Sequence, residues 1–264
     1  YIGPCGIAPI PSVTQATTNS VTLSWEGSST ETNEIEWGPV GFVQGTGTLV
    51  QTTGTSLVIS GLAENTHYEY YIRRTCSADS TVIWLGKHKF KTACNAFVGE
   101  FSQNFSSVTT GSTTVLTLPD CWSFYDGGSG YGFVGTTALA TPKSFQMYTS
   151  DLLNPYILIS PETQNLGNGN YRVRFNARSG TANQKLIIGT MSNPLDASTF
   201  TPLQIIDLPT TYNAATTPYF VVYLPEGTND YFAFKHGQVA SSTIYIDDVF
   251  YEENPACAPP VGLN

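Results

Sequence analysis

The chain has 264 residues, a formal net charge of −9, and charged side chains at only 12% of its positions. That balance argues against nucleic acid, which requires clustered Lys and Arg, and no apolar run approaches the roughly 20 residues of a membrane-spanning helix. With 15 Tyr, 14 Phe, 24 Gly and 16 Pro between short runs rich in Thr, Val and Ile, the composition predicts an all-β protein of one large or two ordinary domains.

The first ninety residues read as strands separated by turn residues. "NSVTLSWE" (19–26) alternates Val21, Leu23 and Trp25 with Thr22 and Ser24, the pattern of a half-buried strand. "NEIEWGPV" (33–40), "SLVISGL" (56–62), "HYEYYIRRTC" (67–76) and "GKHKFKTA" (86–93) follow as further strands, and the spacing predicts a sandwich. After "KTACN" the pattern restarts. "YRVRFNAR" (171–178) sets Tyr171, Val173, Phe175 and Ala177 on one face and Arg172, Arg174, Asn176 and Arg178 on the other. "QKLIIGT" (184–190), "PYFVVYLP" (218–225), "DYFAFKH" (230–236) and "STIYIDDVFYE" (242–252) are strands too, and about ten strands in this half predict a jelly-roll sandwich.

Two family resemblances sharpen this. "GLAENTHYEYYI" (61–72) resembles the fibronectin type III signature, which makes Trp25 the core tryptophan and Tyr68 the corner tyrosine whose hydroxyl bonds back to the preceding loop. "LPDCW" (118–122), "YILISPE" (156–162), "YRVRFNAR", "IIGTMSNPLDASTF" (187–200) and "IYIDDVFYE" (244–252) together resemble the MAM and cleaved-adhesin group of jelly rolls, which is similar to several carbohydrate-binding modules. The expected domains are a fibronectin type III-like domain at 1–94 and a jelly roll at 95–254. Such pairs resemble modules of large surface or secreted bacterial proteins, many of them exported by type IX secretion. In that context the closing "NPACAPPVGLN" (254–264), which repeats the Cys-to-Pro phrase of "GPCGIAPIPSV" (3–13), reads at 255–264 as the start of a following fibronectin-like repeat. No signal peptide opens the chain, so it reads as a mature or excised segment.

Five dispersed cysteines without zinc spacing suggest disulfides and an oxidising compartment. The fibronectin resemblance implies Cys5 bonded to Cys76, leaving Cys94 for Cys121 and Cys257 free for a partner in the next repeat.

Candidate chemistry is sparse. His67, His88 and His236 stand singly, no Gly-x-Ser-x-Gly occurs, and "YDGGSGYG" (125–132) lacks the lysine and following helix of a phosphate loop. No catalytic residues are therefore expected. Related jelly rolls often place calcium against an aspartate of the last strand, which implicates Asp247 and Asp248. The first-strand acids of that family appear here as Gln103 and Ser106, so a hydrogen-bonded structural aspartate is the competing reading. If Ile244 and Ile246 face the core, Asp248 continues that face and needs a partner there. The stretch "WSFYDGGSGYGF" (122–133) offers Phe124, Tyr125 and Tyr131 in a glycine-rich frame able to stack on sugar rings, with packing over the sandwich end as the alternative; Trp122 is expected to be buried. "NFS" (104–106) and "DST" (79–81) fit minimal glycosylation patterns. The resulting expectation is a non-catalytic adhesion or interaction segment of an extracellular modular protein, contacting glycans or surface proteins and neighbouring repeats, with no nucleic-acid or membrane partner. The alternative is a carbohydrate-binding appendage of a secreted hydrolase or protease.

Overall fold

In a computed structural model, residues 9–27, 32–75, 83–137, 139, 142–213 and 217–256 are described. Among them eighteen β-strands and one 3-10 turn, Ala197–Thr199, are the regular elements. The chain divides into two units, residues 1–95 and 96–264.

The first unit contains β1 (Ser12–Ala16), β2 (Ser20–Ser24), β3 (Thr32–Pro39), β4 (Thr48–Thr53), β5 (Ser56–Ser60), β6 (His67–Thr75) and β7 (Leu85–Lys91). They form a three-stranded sheet β1-β2-β5 and a four-stranded sheet β4-β3-β6-β7. Alternation explains the core: Val21, Leu23 and Trp25 from one sheet meet Ile35, Tyr68, Tyr70, Ile72 and Phe90 from the other. The Tyr68 hydroxyl accepts the Ala63 N–H at 2.9 Å, tying the loop before β6 to the start of that strand. Strands β1 and β4 left no signal in the sequence. Every residue of β1 is exposed, and β4 has only half-buried positions between exposed ones, so neither shows apolar alternation.

The second unit holds β8 (Phe101–Gln103), β9 (Ser123–Asp126), β10 (Gly130–Gly135), β11 (Ser144–Thr149), β12 (Tyr156–Ile159), β13 (Tyr171–Ser179), β14 (Lys185–Met191), β15 (Thr201–Asp207), β16 (Phe220–Tyr223), β17 (Tyr231–His236) and β18 (Ser242–Glu253). One sheet runs β10-β11-β18-β13-β16, with β8 also paired to β18, and the other runs β15-β14-β17-β12-β9. Every pairing between these strands is antiparallel. The inner faces share one core. Phe145, Met147, Val173, Phe175, Ile244 and Ile246 come from the first sheet, and Leu158, Leu186, Ile188, Phe232 and Phe234 from the second. Phe232 is its aromatic hub, with ring centroids of Phe101, Trp122, Phe234 and Tyr251 at 6.0, 5.9, 5.9 and 5.8 Å. Trp122 is buried, as expected of the residue after Cys121.

One irregularity matters for the site. Between Arg174 and Asn176 the β13–β18 register slips, and Asp248 takes a left-handed conformation, φ 47°. The core residues of β18 are Ile244 and Ile246, then Val249 and Tyr251. The spacing of three from Ile246 to Val249 marks a bulge. Asp248 is the extra residue rather than a continuation of the core face, which corrects the simple alternation drawn from the sequence; aspartate tolerates that conformation better than most residues.

Candidate ligand-binding face

The outward residues of the six-stranded sheet follow from which neighbours point in. Gly132 and Val134 face the core on β10, Phe145 and Met147 on β11, Ile244 and Ile246 on β18, and Phe175 and Ala177 on β13. The residues between them, Tyr131 and Phe133, Gln146 and Tyr148, Thr243 and Tyr245, and Arg178, therefore share the outer face. Register aligns them. Tyr131 pairs with Tyr148 and Tyr148 with Thr243; Phe133 pairs with Gln146, Gln146 with Tyr245, and Tyr245 with Arg178. At a strand spacing of ~4.8 Å the four-residue row Phe133–Gln146–Tyr245–Arg178 spans about 14 Å.

The rings are fixed and half-exposed. Tyr131 stacks on Tyr148 at 5.0 Å with an 18° interplanar angle, and lies 5.6 Å from Phe133. The Arg178 guanidinium sits 4.0 Å over the Tyr245 ring, and its Nη1 donates to Ser179 O at 3.4 Å. Gln146 is only 8% exposed, yet its amide has no hydrogen-bond partner among the described residues. Gly135 makes room for it, since a Cβ there would overlap the Gln146 amide.

Farther along the same face the arginines are closed off. Arg172 and Arg174 both pair with Glu252, at 2.8 and 3.1 Å. Arg174 is also held over Phe250 at 4.0 Å and Tyr219 at 4.3 Å. These pairs hold Glu252 below the usual carboxylate range despite its partial burial, which alone would raise it.

Of the residues singled out in the sequence, Tyr131 lies on this face, but Tyr125 and Phe124 do not. Phe124 packs against the main core, 5.6 Å from Phe145, and Tyr125 packs with Ile157, Ile159, Met191 and Ala233 on the outer side of the other sheet. All three sit in strands rather than a loose loop. Gly127 and Gly128 lie in the short connection by which the chain passes from β9 in one sheet to β10 in the other. There Asp126 Oδ1 accepts the Gly128 N–H at 2.8 Å, and Gly128 adopts φ 123°.

Asp247 and Asp248 lie together beside Asn176, and all three are buried. The Asp248 N–H donates to Asp247 Oδ1 at 2.8 Å, and Asn176 Nδ2 donates to Asp248 Oδ2 at 3.3 Å. Burial and the neighbouring charges, among them both aspartates, hold the Tyr212 phenol above its ordinary value. This arrangement also hides Asn176, which alternation alone had placed on an open face. Calcium takes six to eight oxygens. Both carboxylates already accept protein hydrogen bonds, and Gln103 Oε1 is committed to the Phe105 N–H at 2.6 Å. Asn176 Oδ1 is the one buried oxygen of the group without a partner, and no group of three or more His, Cys, Asp or Glu among the described residues could hold a metal. The donor set fits a hydrogen-bonded structural pair better than a calcium cage.

His236 is fully buried and neutral by construction. Its Nδ1 accepts the Gln238 N–H and its Nε2 donates to Ser242 O, both at 3.0 Å. Burial pushes its pKa down, against the pull of the Ser242 carbonyl. Cys94 and Cys121 are both disulfide-bonded. Cys5, Cys76, Cys257 and the "DST" stretch lie outside the described residues, whereas Asn104 of "NFS" is exposed. No helix among the described residues is long and apolar enough to cross a membrane.

Comparison with known proteins gives many structural likenesses, among them the following. A cleaved adhesin domain of Lys-gingipain from Porphyromonas gingivalis aligns at 20% identity and TM-score 0.44, over 59% of this chain and 99% of that one. A xylan-binding domain from Paenibacillus barcinonensis aligns at 13% identity and TM-score 0.38, over 60% and 95%. A family 11 carbohydrate-binding module from a Clostridium thermocellum cellulase aligns at 10% identity and TM-score 0.37, over 60% and 97%. At these identities and scores none of them carries over a ligand. No family model and no curated protein matches the chain.

Proposed function

We propose that the chain is a non-catalytic binding segment of an extracellular modular protein, and that it contacts glycans through the outer face of the six-stranded sheet. The observation that supports this most is the row Phe133–Gln146–Tyr245–Arg178, backed by the Tyr131–Tyr148 stack. Rings held half-exposed by their neighbours offer a sugar's C–H groups an apolar surface, the edges and uncovered faces of a fixed cluster, whose ordering cost is already met. An unpartnered amide and a guanidinium beside them supply hydroxyl recognition. The disulfide-bonded state of Cys94 and Cys121 supports an oxidising, extracellular setting. Adhesion within a larger surface protein is the preferred use, and substrate targeting for an attached enzyme would employ the same face.

Affinity electrophoresis through a panel of soluble polysaccharides tests this reading. Wild-type protein is expected to be retarded by at least one polymer. The Tyr148→Ala/Tyr245→Ala variant is expected to lose that retardation while melting near the wild-type temperature. Retention of full binding by a folded double variant would place the ligand elsewhere.

A further inference from the structure

Two polar groups on this face have bonding capacity the protein does not use. Gln146 is more than nine-tenths buried, and its amide is without a protein partner among the described residues. Arg178 has no carboxylate partner among them either, and makes only the bond to Ser179 O and the stack on Tyr245. Arg172 and Arg174 are treated differently on the same sheet, because both pair with the Glu252 carboxylate. Leaving Arg178 open, fixed on a ring and next in register to Tyr245, is a different arrangement.

The donor inventory limits what can dock there. A guanidinium only donates, in a planar fork that matches a carboxylate with two parallel bonds. A carboxamide both donates and accepts, which suits hydroxyls. Tyr245 lies between the two in register, with the guanidinium over one face of its ring, so a single sugar set against the exposed edge of that ring reaches both. The chain's net charge of −9 and the buried Asp247, across from Asn176, oppose a densely charged polyanion. A single contact pair acts at short range, while the wider repulsion is screened beyond about 8 Å at physiological salt.

We infer that this face selects a glycan with isolated carboxylates on an otherwise neutral backbone. Arg178 holds the acidic group, Gln146 the adjacent hydroxyls, and Tyr245 the ring. The inference rests on the glycan-binding reading of the face and adds the class of sugar to it.

Isothermal titration separates the two claims, using xylan branched with glucuronic acid and the same polymer after reduction of its carboxyl groups to alcohols. Native polymer is expected to bind about tenfold or more tightly than reduced polymer, the scale of one charge-assisted hydrogen bond. Arg178→Gln, which keeps polarity and loses the charge, is expected to lose about tenfold more affinity for native than for reduced polymer, bringing the two close to equal. Arg178→Lys is expected to fall between, because it keeps the charge and loses the fork. Equal affinity for both polymers, with Arg178→Gln behaving as wild type, would overturn the acidic-sugar inference and leave the glycan-binding face standing. Binding of neither polymer would overturn the acidic-sugar inference, and binding that survives in a folded Tyr148→Ala/Tyr245→Ala variant would overturn both.

Discussion

Phe232→Ala is expected to be among the most damaging single changes in the second unit. Its side chain is fully buried and meets four other rings at 5.8 to 6.0 Å. Truncating a buried phenylalanine costs about 3–5 kcal/mol from lost transfer energy and the cavity left behind. Edge and stacked ring pairs add ~0.5–1.5 kcal/mol each beyond buried area, so the upper half of that range applies. The four neighbours come from β8, β17, β18 and the segment before β9, so no single element can collapse to fill the gap. With a urea m-value of about 2 kcal/mol/M, the unit's unfolding midpoint is expected to fall by roughly 2 M. Urea titration followed by far-UV circular dichroism measures this. A fall below about 0.5 M would show that these rings are not jointly packed, and the assignment of Phe232 as hub would be wrong.

Acid should weaken the β17–β18 turn through His236. Burial lowers its folded pKa below the ordinary value of about 6.5, so its contribution is complete above that pH and is lost as the pH falls below it. An NMR titration in which the His236 ring protonates at or above 6.5 would contradict the buried neutral tautomer. Excess chelator is expected to leave the melting temperature unchanged, because Asp247 and Asp248 are satisfied by protein donors; a drop reversed by added calcium would assign them a metal instead. Non-reducing peptide mapping is expected to return Cys94 joined to Cys121 and Cys5 to Cys76, with Cys257 unpaired. Recovery of Cys257 bonded to Cys5 or Cys94 would end that assignment.

Burial periodicity explains what the sequence revealed. Strands with one buried face, such as "SVTLS" and "YRVRF", announce themselves through alternation, and the apolar sets they predicted are the sets that pack. Strands β1 and β4 bury almost nothing, so only pairing reveals them. The bulge at Asp248 was invisible because period-two reasoning has no place for an inserted residue. Of the proposed ligand face, Tyr131 stood out near the glycines, while Gln146 and Tyr148 lie in β11, Tyr245 in β18 and Arg178 in β13. Only the β10-β11-β18-β13 register brings them into adjacent rows. The alternation of "YRVRFNAR" did place Arg178 opposite the core, a signal that gains meaning once Tyr245 is beside it.

Amide and aromatic chemical-shift mapping during titration with a bound polysaccharide tests the central claim most directly. Perturbations are predicted to concentrate on Tyr131, Phe133, Gln146, Tyr148, Tyr245 and Arg178, leaving Tyr125, Ile157 and Met191 on the opposite sheet unchanged. Shifts centred on Tyr125 and its neighbours, or confined to the first unit, would contradict it.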